Sequence, residues 1–334
     1  MIRDVAFTVV ITHLNRGHFI ARVMDAVLGQ LAQLPQGRLL VVDNGSTDGT
    51  ERLFDDYKRR HANFDWVVEP RRGVYYARVR GILDAHGEAV VFVDDDAILQ
   101  TGWLAGMLTE LLRAPDIGVI GARVDLMLPP RLPEWLHPKL LNQFAYDGVP
   151  NVERLTEAEF PSLPTGVGLA VRLNGCARLF TQPPRIEGYP LGRRAPDPAA
   201  GVPGSPLGGE DTDLCLIYRR NGFRVMFADH LRVWLDVPVE RMNREWFLLR
   251  YWNEGRTRIR MLRLAGEPVW GRDGWRFLAA LPALALADLV GRFLPQQQSL
   301  LISAYLRKSA GAWHELLRGP RFPAFPYRAP PDST

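Results

Sequence analysis

The run Ala89-Val90-Val91-Phe92-Val93 is apolar at every position and closes on three consecutive carboxylates, Asp94, Asp95 and Asp96. A strand with one wet face alternates polar and apolar residues; an unbroken apolar run bounded by polar residues reads as a strand buried on both faces of a parallel sheet. The triplet then stands at the carboxyl end of a buried strand, where open α/β sheets bind ligands. Clustered hard oxygens without soft ligands suit Mg²⁺ or Mn²⁺. Three adjacent anions repel one another, so the alternative is a solvated turn at a helix amino terminus. The triplet alone does not choose between them.

The rest of the first third repeats the rhythm of βαβ units. Ala6 to Thr12, Arg38 to Val42, Trp66 to Glu69 and Ala89 to Val93 read as strands, separated by the amphipathic stretches Phe19 to Leu34, Asp48 to Arg60 and Val74 to His86. Thr47 and Thr101 read as helix caps. The chain has 334 residues, 47% of them hydrophobic, enough for one large domain or a domain with an appendage. From Pro129 to about Leu163 the sequence is rich in Pro and aromatics with no sustained period, and Arg193 to Gly208 is dense in Pro and Gly. Both read as loops, the first a long functional one.

A net charge of +4 is mildly basic and is not the footprint of a nucleic-acid binder; anionic small molecules or lipid headgroups fit it better. Cys176 and Cys215 lie far apart without metal-ligand spacing, which indicates neither a zinc site nor a disulfide framework and suits a reducing cytosol. No basic-then-apolar leader opens the sequence, and no uncharged apolar run approaches the roughly 18 residues of a spanning helix. The expected location is cytoplasmic.

Five motifs fall at strand ends in a fixed order: Thr12-His13-Leu14-Asn15-Arg16; Asp43-Asn44-Gly45-Ser46-Thr47-Asp48; Pro70-Arg71-Arg72-Gly73 with Ala77-Arg78; the aspartate triplet; and Gly208-Gly209-Glu210-Asp211-Thr212-Asp213. Together, over residues 5 to 240, they resemble the family 2 glycosyltransferases of the GT-A fold. The resemblance implies an α/β, Rossmann-like, mostly parallel sheet sandwiched by helices, and an inverting transfer from a nucleotide diphosphate sugar, a UDP-sugar favoured, to a hydroxyl acceptor. It implies donor contacts at Thr12, Asn15, Asp43, Arg78, Asp94 and Asp95, a divalent cation at Asp96 with Asp94, and Asp211 as base beside an acceptor-orienting Glu210. Gly166, in Pro164-Thr165-Gly166-Val167-Gly168, lies in the family's glycine-containing strand beneath the acceptor pocket, and Trp135 and Trp234 are candidate sugar-stacking residues. Glu187-Gly188-Tyr189-Pro190 resembles the segment leading to the Glu-Asp pair. The residues also carry plainer readings. Asp43 with Asn44 builds an Asx turn, Glu210 and Asp211 cap a helix, and a Trp is a core or rim residue.

Three departures stand out. Thr12-His13-Leu14-Asn15 replaces the Pro-Thr-Tyr-Asn common in relatives, Val79 stands where an asparagine often follows the helix arginine, and Leu235 stands where a histidine can join the metal site. Asp236 or water would then complete the shell. Two other functions remain open: a nucleotidyltransferase, for which the expected Gly-rich phosphate loop is not seen between Thr12 and Phe19, and a non-catalytic nucleotide-sugar-binding module.

Residues 1–240 thus read as the catalytic domain, with 129–208 as acceptor-side loops, 241–320 as a basic helical extension and 321–334 as a Pro-rich tail. Between Arg241 and Arg263 there are seven arginines and two acids, with Arg256, Arg260 and Arg263 on one helical face. Phe277 to Ala287 is apolar around Pro282, and Ser299 to Leu317 is amphipathic. The extension reads either as helices packed on the catalytic domain or a second copy, or as a peripheral contact with an anionic membrane that carries a lipid-linked acceptor.

Overall fold

The computed structural model describes residues 2–144, 155–159, 162–173, 209–237, 242–270, 272–291 and 293–317. The expected loop over 193–208, the Glu187 segment, Cys176 and the tail lie outside these residues. The first third alternates as expected: β1 (Phe7–His13), α1 (Gly17–Leu31), β2 (Gly37–Asp43), α2 (Glu51–Arg60), β3 (Phe64–Val68), α3 (Val74–Leu83) and β4 (Ala89–Asp94). β5 (Ala97–Leu99), α4 (Trp103–Leu112), β6 (Ile117–Met127), β7 (Leu155–Glu157), β8 (Gly168–Arg172), α5 (Glu210–Arg220) and β9 (Arg224–Asp236) follow. Two helix starts differ from expectation. α2 begins after Thr50, because the Thr47 N–H is drawn to Asn15 Oδ1 at 2.7 Å, and α4 begins after Gly102 in the left-handed region, φ 72°, not at Thr101.

The strands form one sheet in the order β3-β2-β1-β4-β8-β6-β9-β5, with β7 paired to β9. β3, β2, β1 and β4 are parallel, β8 runs antiparallel between β4 and β6, and β6 and β9 are again parallel. Because side chains alternate along a strand, Val9, Ile11, Val41, Val91 and Val93 face one layer, filled by Ile20, Val23 and Met24 of α1, Phe54 of α2 and Trp103 of α4. Val10, Leu40, Val42, Val90 and Phe92 face the other, filled by Ala77 and Ile82 of α3 and by Leu214 and Tyr218 of α5. Each such buried side chain contributes on the order of 1.5–3 kcal/mol. This accounts for the unbroken apolar runs: both faces of β1, β2 and β4 are core.

The register fixes the functional edge. His13 stands opposite Asp43 and Thr12 opposite Asp94, so the last residues of β2, β1 and β4 emerge at one level.

Beyond the sheet come α6 (Arg244–Ala265), α7 (Arg272–Gly291) and α8 (Gln296–Leu317). α6 is anchored by Trp246 stacked on Phe144, ring centroids 4.9 Å apart, and by buried Phe247. Trp135 lies edge-on to Phe247 with the Arg244 guanidinium over its ring, so its faces are occupied by the extension. The arginine row of α6, Arg256, Arg260 and Arg263, is turned onto α8. Arg260 donates to both carboxylate oxygens of Glu315 at 2.6 and 2.9 Å, Arg256 adds a third contact at 3.3 Å, and Arg263 reaches the Glu315 and Leu316 carbonyls. The reason is satisfaction: an acid buried as deeply as Glu315 needs paired cations, and that helical face supplies them.

Candidate active site

The loops after β1 and β2 are sewn together by polar contacts. Asn15, held in the left-handed region at φ 53°, accepts from the Thr47 N–H, and its own N–H donates to Ser46 Oγ at 3.0 Å. Asp48 accepts from the Gly17 N–H at 3.1 Å and from the Thr50 N–H and hydroxyl. Burial alone would raise the Asp48 pKa, but these hydrogen bonds outweigh it and hold the carboxylate below its usual range. Both Asp43 oxygens accept from the Ser46 N–H at 3.1 Å, which realises the Asx-turn reading and leaves further lone pairs for a ligand. Asn44 is spent on architecture. It donates to the Glu69 and Arg71 carbonyls and accepts from the Gly73 N–H, fixing the loop that carries Arg71 and Arg72.

The first aspartate parts from the other two. Asp94 is partly exposed and faces Arg78, whereas Asp95 and Asp96 are nearly buried. Asp95 Oδ2 meets His13 Nδ1 at 3.0 Å, and one Arg16 nitrogen bridges Asp95 Oδ1 at 2.9 Å and Asp96 Oδ2 at 2.8 Å. Burial disfavours the Arg16 charge, yet Asp95, Asp96 and Asp94 outweigh it and raise the guanidinium above its ordinary value. Neither His13 nor Arg16 was singled out from the sequence. The signal was available: β1 adjoins β4, so a basic residue just after β1 is the natural counter-charge to the triplet.

Arg78 links the two acidic motifs. Its buried guanidinium donates to Glu210 Oε1 at 2.9 Å and to Asp94 Oδ1 at 3.3 Å, joining α3, the end of β4 and the start of α5. Burial opposes its charge, and Glu210, Asp94 and Asp211 more than compensate, so it stays protonated. It lies flat against Gly166, where a Cβ would sit 2.0–2.2 Å from the guanidinium atoms. The Gly166 N–H donates to Asp211 Oδ2 at 3.0 Å, and the Thr212 N–H donates to Asp211 Oδ1 at 2.7 Å. The structure therefore brings Arg78, Asp94, Gly166, Glu210 and Asp211 together. Thr12 and Asn15 stand along the same edge beside Asp43. Trp234 pairs with Ile98 across β9 and β5, and Trp135 lies under the extension.

Leu235 is buried opposite Ala97 and belongs to the core, while the Asp236 N–H reaches the Asp96 carbonyl at 3.4 Å and its carboxylate meets Arg22 at 3.3 Å. Among the described residues no three His, Cys, Asp or Glu side chains converge on one point. The donor set fits a hard divalent cation held by one or two carboxylate oxygens, with water and ligand oxygens filling the rest of the shell. The Arg16 guanidinium offsets one of the two negative charges of Asp95 and Asp96.

The sheet order and the site at its strand ends define a class. The mannosyltransferase PcManGT from Pyrobaculum calidifontis, solved in complex with GDP-Man and Mn²⁺, superposes with a TM-score of 0.60 over 95% of this chain and 89% of that one, at 20% identity. The fold is that of the GT-A glycosyltransferases. Residues 8–149 match the profile of Glycosyl transferase family 2. Among curated relatives, the glycosyltransferase AglE of Haloferax volcanii is 29% identical over 123 residues, 36% of this chain and 40% of that protein. The glucosyl-dolichyl phosphate glucuronosyltransferase of the same organism is 26% identical over 130 residues, 38% of this chain and 37% of that protein. The chain thus spans about two fifths of the length of these relatives.

Proposed function

We propose that the chain is an inverting glycosyltransferase that moves a sugar from a nucleotide diphosphate donor, a UDP-sugar, to a hydroxyl acceptor. The observation that carries this reading is Arg78, one buried cation that joins Asp94 of the aspartate turn to Glu210, 132 residues after Arg78 in sequence, at the Glu-Asp helix start. Asp211, clasped by two backbone N–H groups, takes the proton of the acceptor hydroxyl as its oxygen attacks the anomeric carbon and the bond to phosphate breaks. A single displacement of this kind inverts the centre and needs no covalent nucleophile. Glu210 orients the acceptor from its Arg78 anchor. Asp96 with Asp94 would hold Mg²⁺ or Mn²⁺, which supplies positive charge where the diphosphate leaves. Asp43 accepts the uracil imide N–H, and Thr12 and Asn15 line the donor edge.

The test is calorimetry and thermal stabilisation with UDP, GDP and dTDP, each with and without Mn²⁺, on the parent and on Asp96→Ala. UDP with Mn²⁺ should bind the parent, and the variant should lose the metal-dependent part of the affinity. A response to GDP or dTDP alone removes the UDP assignment. Binding by the parent without transfer or donor hydrolysis favours a non-catalytic module.

The acceptor in this reading is lipid-linked, in envelope or exported polysaccharide assembly, and the chain works at the inner face of the cytoplasmic membrane. A relative named for a dolichyl phosphate substrate supports it, as does a surface feature of the extension. No helix among the described residues is long and apolar enough to cross a membrane. Yet Leu286, Leu289, Val290, Phe293 and Leu294 are all exposed within nine residues of α7 and the turn after it, Phe293 at 90%. Arginines at 272, 276 and 292 frame this stretch in sequence, a composition that suits the interface of an anionic bilayer. Since Arg256 and Arg260 are committed to Glu315, the membrane contact belongs to α7. The parent should sediment with anionic vesicles and Leu289→Asp/Phe293→Asp should not; equal sedimentation of the two, or none by the parent, removes the membrane assignment.

A further inference from the structure

We propose that Arg16 is a donor-binding residue that exchanges partners: it holds Asp95 and Asp96 in the free protein and transfers to the donor diphosphate, which releases Asp96 to the divalent cation. This rests on the metal reading of Asp96 given above. The observation is that a guanidinium already occupies one carboxylate oxygen of Asp96, the residue assigned to the metal. Arg16 bridges Asp95 and Asp96 at 2.9 and 2.8 Å, and the same Asp95 carboxylate is fixed from its other oxygen by His13.

The burial of the partners is unequal. The Asp95 and Asp96 side chains are 7% and 4% exposed, whereas Arg16 is 36% exposed at the mouth of α1. The carboxylates are therefore held in place and the guanidinium is the partner free to swing. Removing it without replacement would take the shared counter-charge from two adjacent buried carboxylates, so the exchange is favoured when another cation arrives as Arg16 departs. Conversely, a divalent ion entering alone meets the Arg16 charge on the Asp96 carboxylate.

The diphosphate resolves both problems. Among the described residues, Asp94, Asp95, Asp96, Glu210 and Asp211 outnumber the two guanidiniums they meet, Arg16 and Arg78, so this cluster repels a diphosphate that comes without a metal. When donor and cation enter together, Arg16 gains phosphate oxygens that suit a planar guanidinium, and Asp96 gains the metal. Arg16 and Asp96 then each keep an opposite partner. Nucleotide and metal are thereby obliged to bind cooperatively, and linkage makes the coupling reciprocal.

Arg16→Gln is isosteric in part and removes the charge; Arg16→Lys keeps the charge but not the fork that spans two carboxylates. Mn²⁺ affinity is read from the spin-resonance signal of free Mn²⁺, with and without UDP, for the parent and both variants, alongside thermal melts. The parent should bind Mn²⁺ at least about tenfold more tightly with UDP than without it. Arg16→Gln should bind Mn²⁺ without UDP about tenfold more tightly than the parent, and its UDP coupling should shrink to about twofold. Arg16→Lys should fall between, and it carries the test if Arg16→Gln does not fold. If the variants bind Mn²⁺ alone no better than the parent while the UDP coupling persists, the exchange is overturned and the metal reading stands. If the parent binds no Mn²⁺ even with UDP, the metal reading falls and the exchange with it.

Discussion

Asp211→Asn should slow sugar transfer by about two to four orders of magnitude, the range that a positioned general base supplies, while UDP binding with Mn²⁺ stays within about twofold of the parent. The geometry separates the two effects. Asp211 accepts from the Gly166 and Thr212 N–H groups and is not hydrogen-bonded to Arg78, so the amide removes the base without breaking the Arg78 link to Glu210 and Asp94. The cost in binding is confined to one N–H, which meets the amide nitrogen instead of an oxygen. Transfer rates measured at saturating donor and acceptor, with calorimetry on the same preparations, check it. A loss below about tenfold would assign the base elsewhere. Glu210 is the poorer substitute, because Arg78 already holds one of its oxygens at 2.9 Å.

The comparison of sequence and structure divides by contact range. β4 was legible to within one residue, since an apolar run on a two-faced sheet leaves no ambiguity, and the same signal marked β1 and β2, whereas β3, an edge strand with only Phe64 buried, starts two residues before the expected Trp66. The position of β8 between β4 and β6 was not legible, because it depends on a long-range antiparallel pairing that no local period encodes. The same division holds in the site. Asp94, Asp95, Asp96, Glu210 and Asp211 stood out as clusters, whereas Arg16 acquires meaning only through partners 79 and 80 residues away. Periodicity placed Arg256, Arg260 and Arg263 on one face of a helix but could not say which way the face turns. Glu315, more than fifty residues later, decided it.

Gly255→Ala and Gly311→Ala should each destabilise the protein by about 3 kcal/mol, at the upper end for overpacked sites, although alanine is the better helix former by about 0.5–1 kcal/mol. Both glycines lie where α6 crosses α8. A Cβ at 255 would sit 1.8 Å from the Lys308 carbonyl oxygen, and one at 311 would sit 2.0 Å from the Trp252 carbonyl oxygen. Both obstacles are backbone, so no side-chain rotation relieves them and the helices must part. Parting would strain the Arg260–Glu315 pair and open the small cluster of Ile259, Leu262 and Ala312. Gly29, on α1 with nothing within 4 Å of its Cβ position, is the internal control, and Gly29→Ala should stabilise by about 0.5–1 kcal/mol. Thermal and urea unfolding of the three variants reads the contrast as opposite signs of the shift. If Gly255→Ala and Gly311→Ala move with Gly29→Ala, α6 and α8 do not cross at this distance, and the inward turn of the arginine face loses its basis.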